Sequence, residues 1–181
     1  MLFKTKVKEL RKKKIKKKDW ALFYTDLGLP IIPIHWVENG KCSCGKSSCP
    51  SPGKHPIASL VPKGIQNASV DPVKVCLWFQ KFPKANIGLA TGKRIKSTVL
   101  DFDRKDDQLE TFETLADYFP WITNMMMQRS GGDGVHVLMP YREDVRNVTS
   151  AMYGLDIRND NAYILVEPSV HVSGGEYKWI V

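Results

Sequence analysis

Apolar residues recur with a spacing near 3.6 in three stretches of the chain, and this periodicity predicts three amphipathic helices. The stretches are 19–27, 71–82 and 109–119. In the second stretch, Asp71 is a candidate N-cap and Pro72 suits the first helical position. The apolar phase of the first helix extends backwards through Val7 and Leu10, which indicates that the preceding segment is partly helical.

Short runs of apolar and β-branched residues between these helices predict strands. They are 31–37, 86–91, 99–103, 121–128, 135–139, 153–158, 163–166, 169–172 and 176–181. Pro33 places the first run at a sheet edge or in an extended entry to the sheet, and the methionine triplet in 121–128 is equally compatible with buried helix. Residues 159–161 predict a hairpin-type turn. Interspersed strands and helices predict a mixed α/β domain.

The positive charge of the chain is concentrated at its start. The net charge is +8, and residues 1–18 hold ten of the 27 Lys and Arg residues but one of the 19 acidic residues. The remaining chain is therefore almost neutral. We predict a basic arm over 1–18 and one domain over 19–181. A basic arm attracts nucleic-acid phosphates in a salt-sensitive manner, although a solvated charge run explains it equally well.

Composition excludes a membrane protein. Hydrophobic residues make up 43% of the chain, yet no run approaches the about 18 uninterrupted apolar residues of a membrane span. The first residues also lack the apolar core of a secretory signal. We therefore expect a cytoplasmic protein with no membrane partner.

Three of the four cysteines lie in a loop that has almost nothing apolar to bury. Cys42, Cys44, Cys49 and His55 form a Cys-x-Cys-x4-Cys-x5-His set within the loop at about 41–56. Disulfides are unexpected in a reducing compartment, and three thiolates with one imidazole match a structural zinc site. The alternative is a set of free thiols.

Two carboxylates end the strand predicted at 99–103. Asp101 and Asp103 lie on one face because side chains alternate along a strand, and Phe102 then points to the other face. A divalent cation or a shared proton would offset the repulsion between the carboxylates. Taken alone, the pair is more typical of a strand that ends in a polar turn.

Other polar side chains also lie on predicted strands: His136 after the glycine-rich turn 130–134, and Asp156 with Arg158. Each feature also has a purely structural explanation. His136 can be a core histidine, the glycine-rich turn can be a hairpin turn, and Asp156 can form an ion pair with Arg158. Together, three carboxylates can bind two divalent ions, and a histidine and an arginine beside them can hold a triphosphate.

The order of these motifs resembles the archaeo-eukaryotic primase superfamily, and within it the bifunctional primase/polymerase domains of plasmids, phages and integrated elements. The segments that carry the resemblance are 53–56, 86–92, 100–103, 130–136, 154–158, 167–171 and 173–179. The resemblance implies a core with an RNA-recognition-motif-like sheet beside an N-terminal α/β module. Cysteine-rich insertions that end in Gly-Lys-His-Pro are similar to those of some members.

The resemblance also implies roles for individual residues. Asp101, Asp103 and Asp156 would hold two Mg²⁺ or Mn²⁺ ions, and His136 would contact the phosphates of the incoming nucleotide. Further nucleotide contacts would come from the following residues: Asn86, Thr91, Gly92, Arg158 and His171. Either Ser130 or a backbone amide of its turn would reach the phosphate.

The implied reaction is attack of a 3′ oxygen on the α-phosphate of an NTP or dNTP. Single-stranded DNA would be the template, with a primer, and a helicase domain or protein outside this chain would be a partner. Two other functions remain open: a metal-dependent nuclease, and a non-catalytic module that binds single-stranded or origin DNA through the basic arm and the zinc loop.

Overall fold

The structure of the protein is a computed structural model that describes residues 2–13, 15–103, 109–152 and 154–181. The α-helices are α1 (Leu2–Lys13), α2 (Lys17–Asp26), α3 (Pro72–Lys81) and α4 (Leu109–Tyr118). Short 3₁₀ turns occupy Gly64–Asn67, Lys93–Ile95 and Pro120–Asn124. The three helices predicted from periodicity are confirmed, and Asp71 caps α3 by accepting from the backbone N–H groups of Val73 and Lys74.

The strands form three sheets. They are β1 (Ile31–Ile34), β2 (Val37–Glu38), β3 (Lys41–Cys42), β4 (Asn86–Ala90), β5 (Ser97–Phe102), β6 (Met126–Arg129), β7 (Val135–Pro140), β8 (Val148–Met152), β9 (Leu155–Arg158), β10 (Tyr163–Val166) and β11 (Lys178–Ile180). The large sheet has the order β11-β6-β7-β5-β9-β8, a second has the order β1-β4-β10, and β2 pairs with β3. The predicted mixed α/β class is confirmed.

The two larger sheets enclose the main core, and α4 covers the other face of the six-stranded sheet. Residues of β1, β4 and β10 pack with Val99 and Trp179 of the large sheet in one apolar cluster. Phe102 belongs to a second cluster with Phe112 of α4, at a ring-centroid distance of 5.4 Å. Val99 and Phe102 lie an odd number of positions apart on β5, so they face different cores, as strand alternation requires.

Helix α1 is docked on the domain through an apolar stripe and one ion pair. Val7 is fully buried, and Phe3 makes an edge contact with Trp179 at 5.1 Å between ring centroids. Arg11 donates to both carboxylate oxygens of Glu167, at 2.7 and 2.8 Å. The helical phase predicted through Val7 and Leu10 is confirmed, whereas positions 1 and 14 of the basic arm lie outside the described residues.

The hairpin predicted at 159–161 is wrong. Strand β9 pairs with β5 and β8 in the large sheet, whereas β10 pairs with β4 in the three-stranded sheet. Asn159 is buried, and its amide donates to the carbonyls of Arg142 and Val145. The turn residues therefore direct the chain from one sheet to the other.

Other strand predictions need adjustment at their ends. The segment 121–128 divides into the 3₁₀ turn Pro120–Asn124 and strand β6. The strand predicted at 169–172 reduces to an isolated bridge between Val170 and Glu176. Strand β8 was not predicted, and Tyr153, placed in a strand by the sequence, lies outside the described residues. Pro33 lies in β1 at an edge of its sheet, as predicted.

Within the described part of the chain, no helix combines the length and the apolar character needed to cross a membrane.

Arg11→Met is expected to lower the free energy of unfolding by about 2 kcal/mol, because it leaves the buried Glu167 carboxylate short of donors. The loss is smaller than for a fully buried pair because the Arg11 side chain is 34% exposed. Urea denaturation measures it. Lys12→Met removes the same charge from an exposed neighbour and serves as the control. Equal stability of the two variants would contradict the structural role of the ion pair.

Candidate active site and metal cluster

The polar residues of the large sheet lie side by side in one row across five strands. Direct cross-strand partners run from Trp179 through Gln128, His136 and Asp101 to Asp156. Directly paired residues point to the same face, so the five side chains share one face of the sheet. We call this set the site row. It brings together three residues that the sequence predicted as functional and adds Gln128.

Hydrogen bonds connect the buried half of the site row. Gln128 is fully buried, and its amide nitrogen lies 3.0 Å from Nδ1 of His136. The other ring nitrogen, Nε2, lies 3.1 Å from Oδ1 of Asp101. Both nitrogens of His136 therefore have protein partners, and the ring is tightly held between an amide and a carboxylate.

The open half of the site row places two carboxylates opposite each other. Asp101 and Asp156 are direct partners on β5 and β9, and each side chain is 15% exposed. Like charges in this position repel. The guanidinium of Arg158 offsets the repulsion, since it lies 2.5 Å from Asp156 Oδ2 and 3.7 Å from Asp101 Oδ2. The backbone N–H of Ser150 donates to the other oxygen of Asp156 at 2.7 Å.

Asp101 is held in its ionised form by its surroundings. Burial alone would raise its pKa, but the interaction with His136 and the positive charges of Arg158 and Lys54 outweigh burial and lower the pKa below its usual value. An ionised carboxylate whose side chain is partly exposed is a suitable ligand for a hard divalent cation.

Asp103, His171 and Tyr177 surround the end of β5. Asp103 follows β5, and its backbone N–H donates to the carbonyl of Gly154 at 2.9 Å. Burial and the charge of Lys54 lower the pKa of His171, although Asp103 acts in the opposite direction. Burial and the carboxylates of Asp101 and Asp103 raise the pKa of Tyr177. The Tyr177 ring centroid lies 5.9 Å from that of His136.

The glycine-rich turn before His136 is closely packed between β5 and the 171–175 segment. A Cβ atom on Gly134 would lie 2.0 Å from the carbonyl oxygen of Phe102, and one on Gly131 would lie 2.5 Å from Cβ of His171. The hydroxyl of Ser130 accepts the N–H of Gly134 at 3.0 Å. Ser130 therefore closes the turn, and the glycines let β5 and His171 approach it.

Three residues predicted to contact a nucleotide have their polar groups engaged within the protein. The Asn86 side chain is fully buried and donates to the carbonyls of Gly53 and Val170. Thr91 donates to the carbonyl of Asn159. Gly92 has a φ of 75° and packs against Asp160, which a Cβ atom would approach to 2.2 Å. These contacts hold parts of the protein together. Direct contact of Asn86, Thr91 and Gly92 with a nucleotide stays a prediction.

Lys54 is a site residue that sequence reasoning did not single out. Its charge acts on both Asp101 and His171. Its backbone carbonyl accepts the hydroxyl of Tyr163 at 2.8 Å, and Asn86 holds the carbonyl of the preceding Gly53. The Gly-Lys-His-Pro motif was the available signal, but the position of Lys54 depends on contacts with residues distant in the sequence.

The predicted zinc ligands lie together beside Lys54. The ligand atoms of Cys42, Cys44, Cys49 and His55 are all within 4.8 Å of one another. His55 Nε2 lies 3.5 and 3.4 Å from the sulfurs of Cys42 and Cys49. Zinc bonds of about 2.0–2.3 Å in a tetrahedron require ligand atoms roughly 3.6 Å apart. The cluster can therefore hold a metal ion with four protein ligands.

Thiolate formation at this cluster is favoured at Cys42. Burial would raise its pKa, but the backbone N–H groups of Cys44 and Gly53 and the neighbouring thiols lower it. The N–H of Gly53 lies 3.5 Å from the Cys42 sulfur. A lowered thiol pKa suits a metal ligand, since the thiolate is the ligating form.

The fold is a mixed α/β domain with paired carboxylates on an antiparallel sheet and a separate Cys₃His cluster that could hold a metal ion. The sequence profile described as "Bifunctional DNA primase/polymerase, N-terminal" matches residues 21–181. The chain therefore belongs to this family and is a domain of the primase/polymerase type. No curated protein matches it. The family resemblance found in the motifs is confirmed.

Gly134→Ala is expected to destabilise the protein by about 1–3 kcal/mol, because the new methyl group would overlap the backbone of Phe102. Gly132→Ala is the matched control, since its Cβ would lie 3.5 Å from the nearest atom of the His171 ring. Thermal and urea unfolding of both variants measure the difference. Equal stability would contradict the close packing of this turn.

Proposed function

We propose that this domain catalyses metal-dependent nucleotidyl transfer to a DNA primer or a first nucleotide on a single-stranded DNA template, with Asp101, Asp103 and Asp156 as the metal ligands. The observation that carries the proposal is the direct pairing of Asp101 with Asp156 on neighbouring strands, within a chain of the primase/polymerase family. The substrates would be NTPs or dNTPs.

The three carboxylates suit Mg²⁺ or Mn²⁺, which prefer oxygen ligands. Asp101 and Asp156 already need a cation between them, a place that the Arg158 guanidinium partly fills. When bound, two divalent ions would activate the attacking 3′ oxygen and stabilise charge on the α-phosphate and leaving group. The contribution of the protein is to hold the carboxylates ionised and in register on adjacent strands.

Cationic groups around the carboxylates are proposed to bind the triphosphate. Arg158 can exchange its carboxylate contacts for phosphate oxygens, which guanidinium groups can bind in bidentate geometry. Lys54 is exposed and acts on the site by charge. His171, beside the Gly131–Gly132 turn, is a further candidate, and Ser130 supports the turn that presents backbone N–H groups.

The arm over 1–18 is proposed to contact nucleic acid. Helix α1 buries Val7 against the body and leaves its lysines exposed, namely Lys4, Lys6, Lys8, Lys12 and Lys13. Such a positive face would bind phosphates without sequence preference. We place the domain, over 19–181, in the cytoplasmic replication of a mobile element, with a helicase supplied outside this chain.

Asp101→Asn and Asp156→Asn are each expected to reduce nucleotide incorporation at least about 1,000-fold, since either change removes a charged metal ligand. The assay supplies single-stranded template, Mg²⁺ or Mn²⁺, and labelled NTPs or dNTPs, with and without a primer. Asp144→Asn is the matched control, because Asp144 pairs with Arg142 on the surface outside the site row.

Wild-type extension by Asp101→Asn or Asp156→Asn would refute the proposed site. Cleavage of the DNA without incorporation would show a nuclease instead. Binding of DNA that persists in chelator, is unaffected by the carboxylate substitutions and is lost with residues 1–18 would show a binding module.

The Cys₃His cluster is proposed to bind one structural zinc ion. Four protein ligands leave no position for a reactive water molecule, so the ion would order the loop. Because His55 directly follows Lys54, an ion bound at His55 would also hold the backbone of Lys54, a proposed cationic residue of the active site.

Cys49→Ser is expected to reduce bound zinc from about one ion per chain to a small fraction of that, since it removes one of four ligands. It is also expected to raise the KM for nucleotide more than it lowers kcat, because Lys54 is then less well placed. Elemental analysis and steady-state extension assays measure the two effects. Cys76→Ser, on α3, is the control. Full zinc content in Cys49→Ser would contradict the ligand assignment.

A further inference from the structure

The contacts of Gln128 determine how its side-chain amide is oriented. Its Nε2 lies 2.8 Å from the carbonyl oxygen of Leu165, which can only accept, and its Oε1 lies 3.0 Å from the backbone N–H of Glu167, which can only donate. The amide therefore has its nitrogen toward Leu165 and its oxygen toward Glu167. A flipped amide would lose both bonds in a fully buried position.

This orientation determines where the proton of His136 lies. The same amide nitrogen of Gln128 lies 3.0 Å from Nδ1 of His136 and presents its second N–H to that atom. Nδ1 must then offer a lone pair, so the proton of the neutral ring is on Nε2. Nε2 lies 3.1 Å from Oδ1 of Asp101. In the opposite tautomer, the N–H at Nδ1 would face the N–H of Gln128, and the lone pair of Nε2 would face the lone pairs of the Asp101 carboxylate.

We propose that Gln128 is a positioning residue that keeps the proton of His136 on Nε2, so that the imidazole N–H is donated to Asp101. The consequence for catalysis rests on the proposed function. A ligand carboxylate that accepts a fixed hydrogen bond through one oxygen is oriented to present its other oxygen to a cation. Loss of such an outer contact typically weakens metal binding about 10- to 100-fold.

The anchor of Gln128 lies at the buried end of the site row. Glu167, whose N–H fixes the amide oxygen, is held in turn by Arg11 and by the N–H of Trp179. Gln128 is therefore held at the junction of the two sheets and α1. A residue whose sole task was to fill space at this junction would not require an amide nitrogen directed at His136.

The test is nitrogen-15 NMR of the histidine side chains in the full chain with Mg²⁺. The protein has four histidines, and a His136→Gln variant assigns the signal of interest. Gln128→Glu keeps the shape but replaces the N–H donor by an acceptor, and Gln128→Met removes the polar groups. Thr98→Val is the control, since Thr98 is buried on β5 and bonds Asn159 and Arg142 instead of the site row.

The proposal expects the proton on Nε2 alone in wild type and Thr98→Val, and protons on both nitrogens in Gln128→Glu, because carboxylates then flank both. In Gln128→Met, Nδ1 loses its donor, so a fraction of rings with Nδ1 protonated as well as Nε2 is expected. The Mg²⁺ concentration for half-maximal extension should rise about tenfold or more in both Gln128 variants. Protonation of Nδ1 in wild type, with or without a proton on Nε2, would overturn the proposal even if no variant folds, as would an Nδ1 that stays unprotonated in a folded Gln128→Glu. Absence of primer extension by wild type would refute the proposed function but not the tautomer assignment.

Discussion

A buried carboxylate determines how the parts of this domain fit together. Glu167 is 3% exposed and follows β10. Its oxygens accept from Arg11 of α1 and from the backbone of Trp179 in β11, and its own backbone bonds Gln128 and Tyr24. A charge in this environment is stable only when it is fully paired. The two sheets and the first two helices must therefore come together for any of these bonds to form.

The site row changes in polarity from the core to its open end. Apolar Trp179 is followed by an amide, an imidazole and two carboxylates, and hydrogen bonds link the amide to the imidazole and the imidazole to Asp101. Because hydrogen bonds strengthen one another in a low-dielectric interior, the orientation of Asp101 depends on His136 and, through it, on the buried Gln128. The order of residues across the strands thus specifies the site as much as the identity of the carboxylates does.

Local patterns predicted the parts of the structure that local forces produce. The helices followed from apolar period, the cap of α3 from Asp71 and Pro72, and the Cys₃His cluster from spacing within one loop. The turn at 159–161 was misassigned because the same turn residues suit a hairpin and a crossing between sheets. Strand β8 gave no alternating signal because all five of its residues are exposed.

The remaining site residues depend on partners distant in the sequence. Gln128 meets Leu165 and Glu167, and Lys54 is set by contacts to Tyr163 and, through Gly53, to Asn86. Such pairs carry no periodicity and appear only when the sheets are assembled. Sequence reasoning could therefore find the carboxylates and their direct partners His136 and Arg158, but not Gln128 and Lys54.

The direct register of β5 against both β7 and β9 has a consequence for how this domain can vary. A single residue inserted within Ser97–Phe102 would turn the next side chains to the opposite face. The acidic group would then meet the apolar surface under α4, and the phenyl ring would face the side of the site row. Insertions and deletions in related chains are therefore expected in the loops. Strand β5 should keep its length and pairing register even where its individual residues differ.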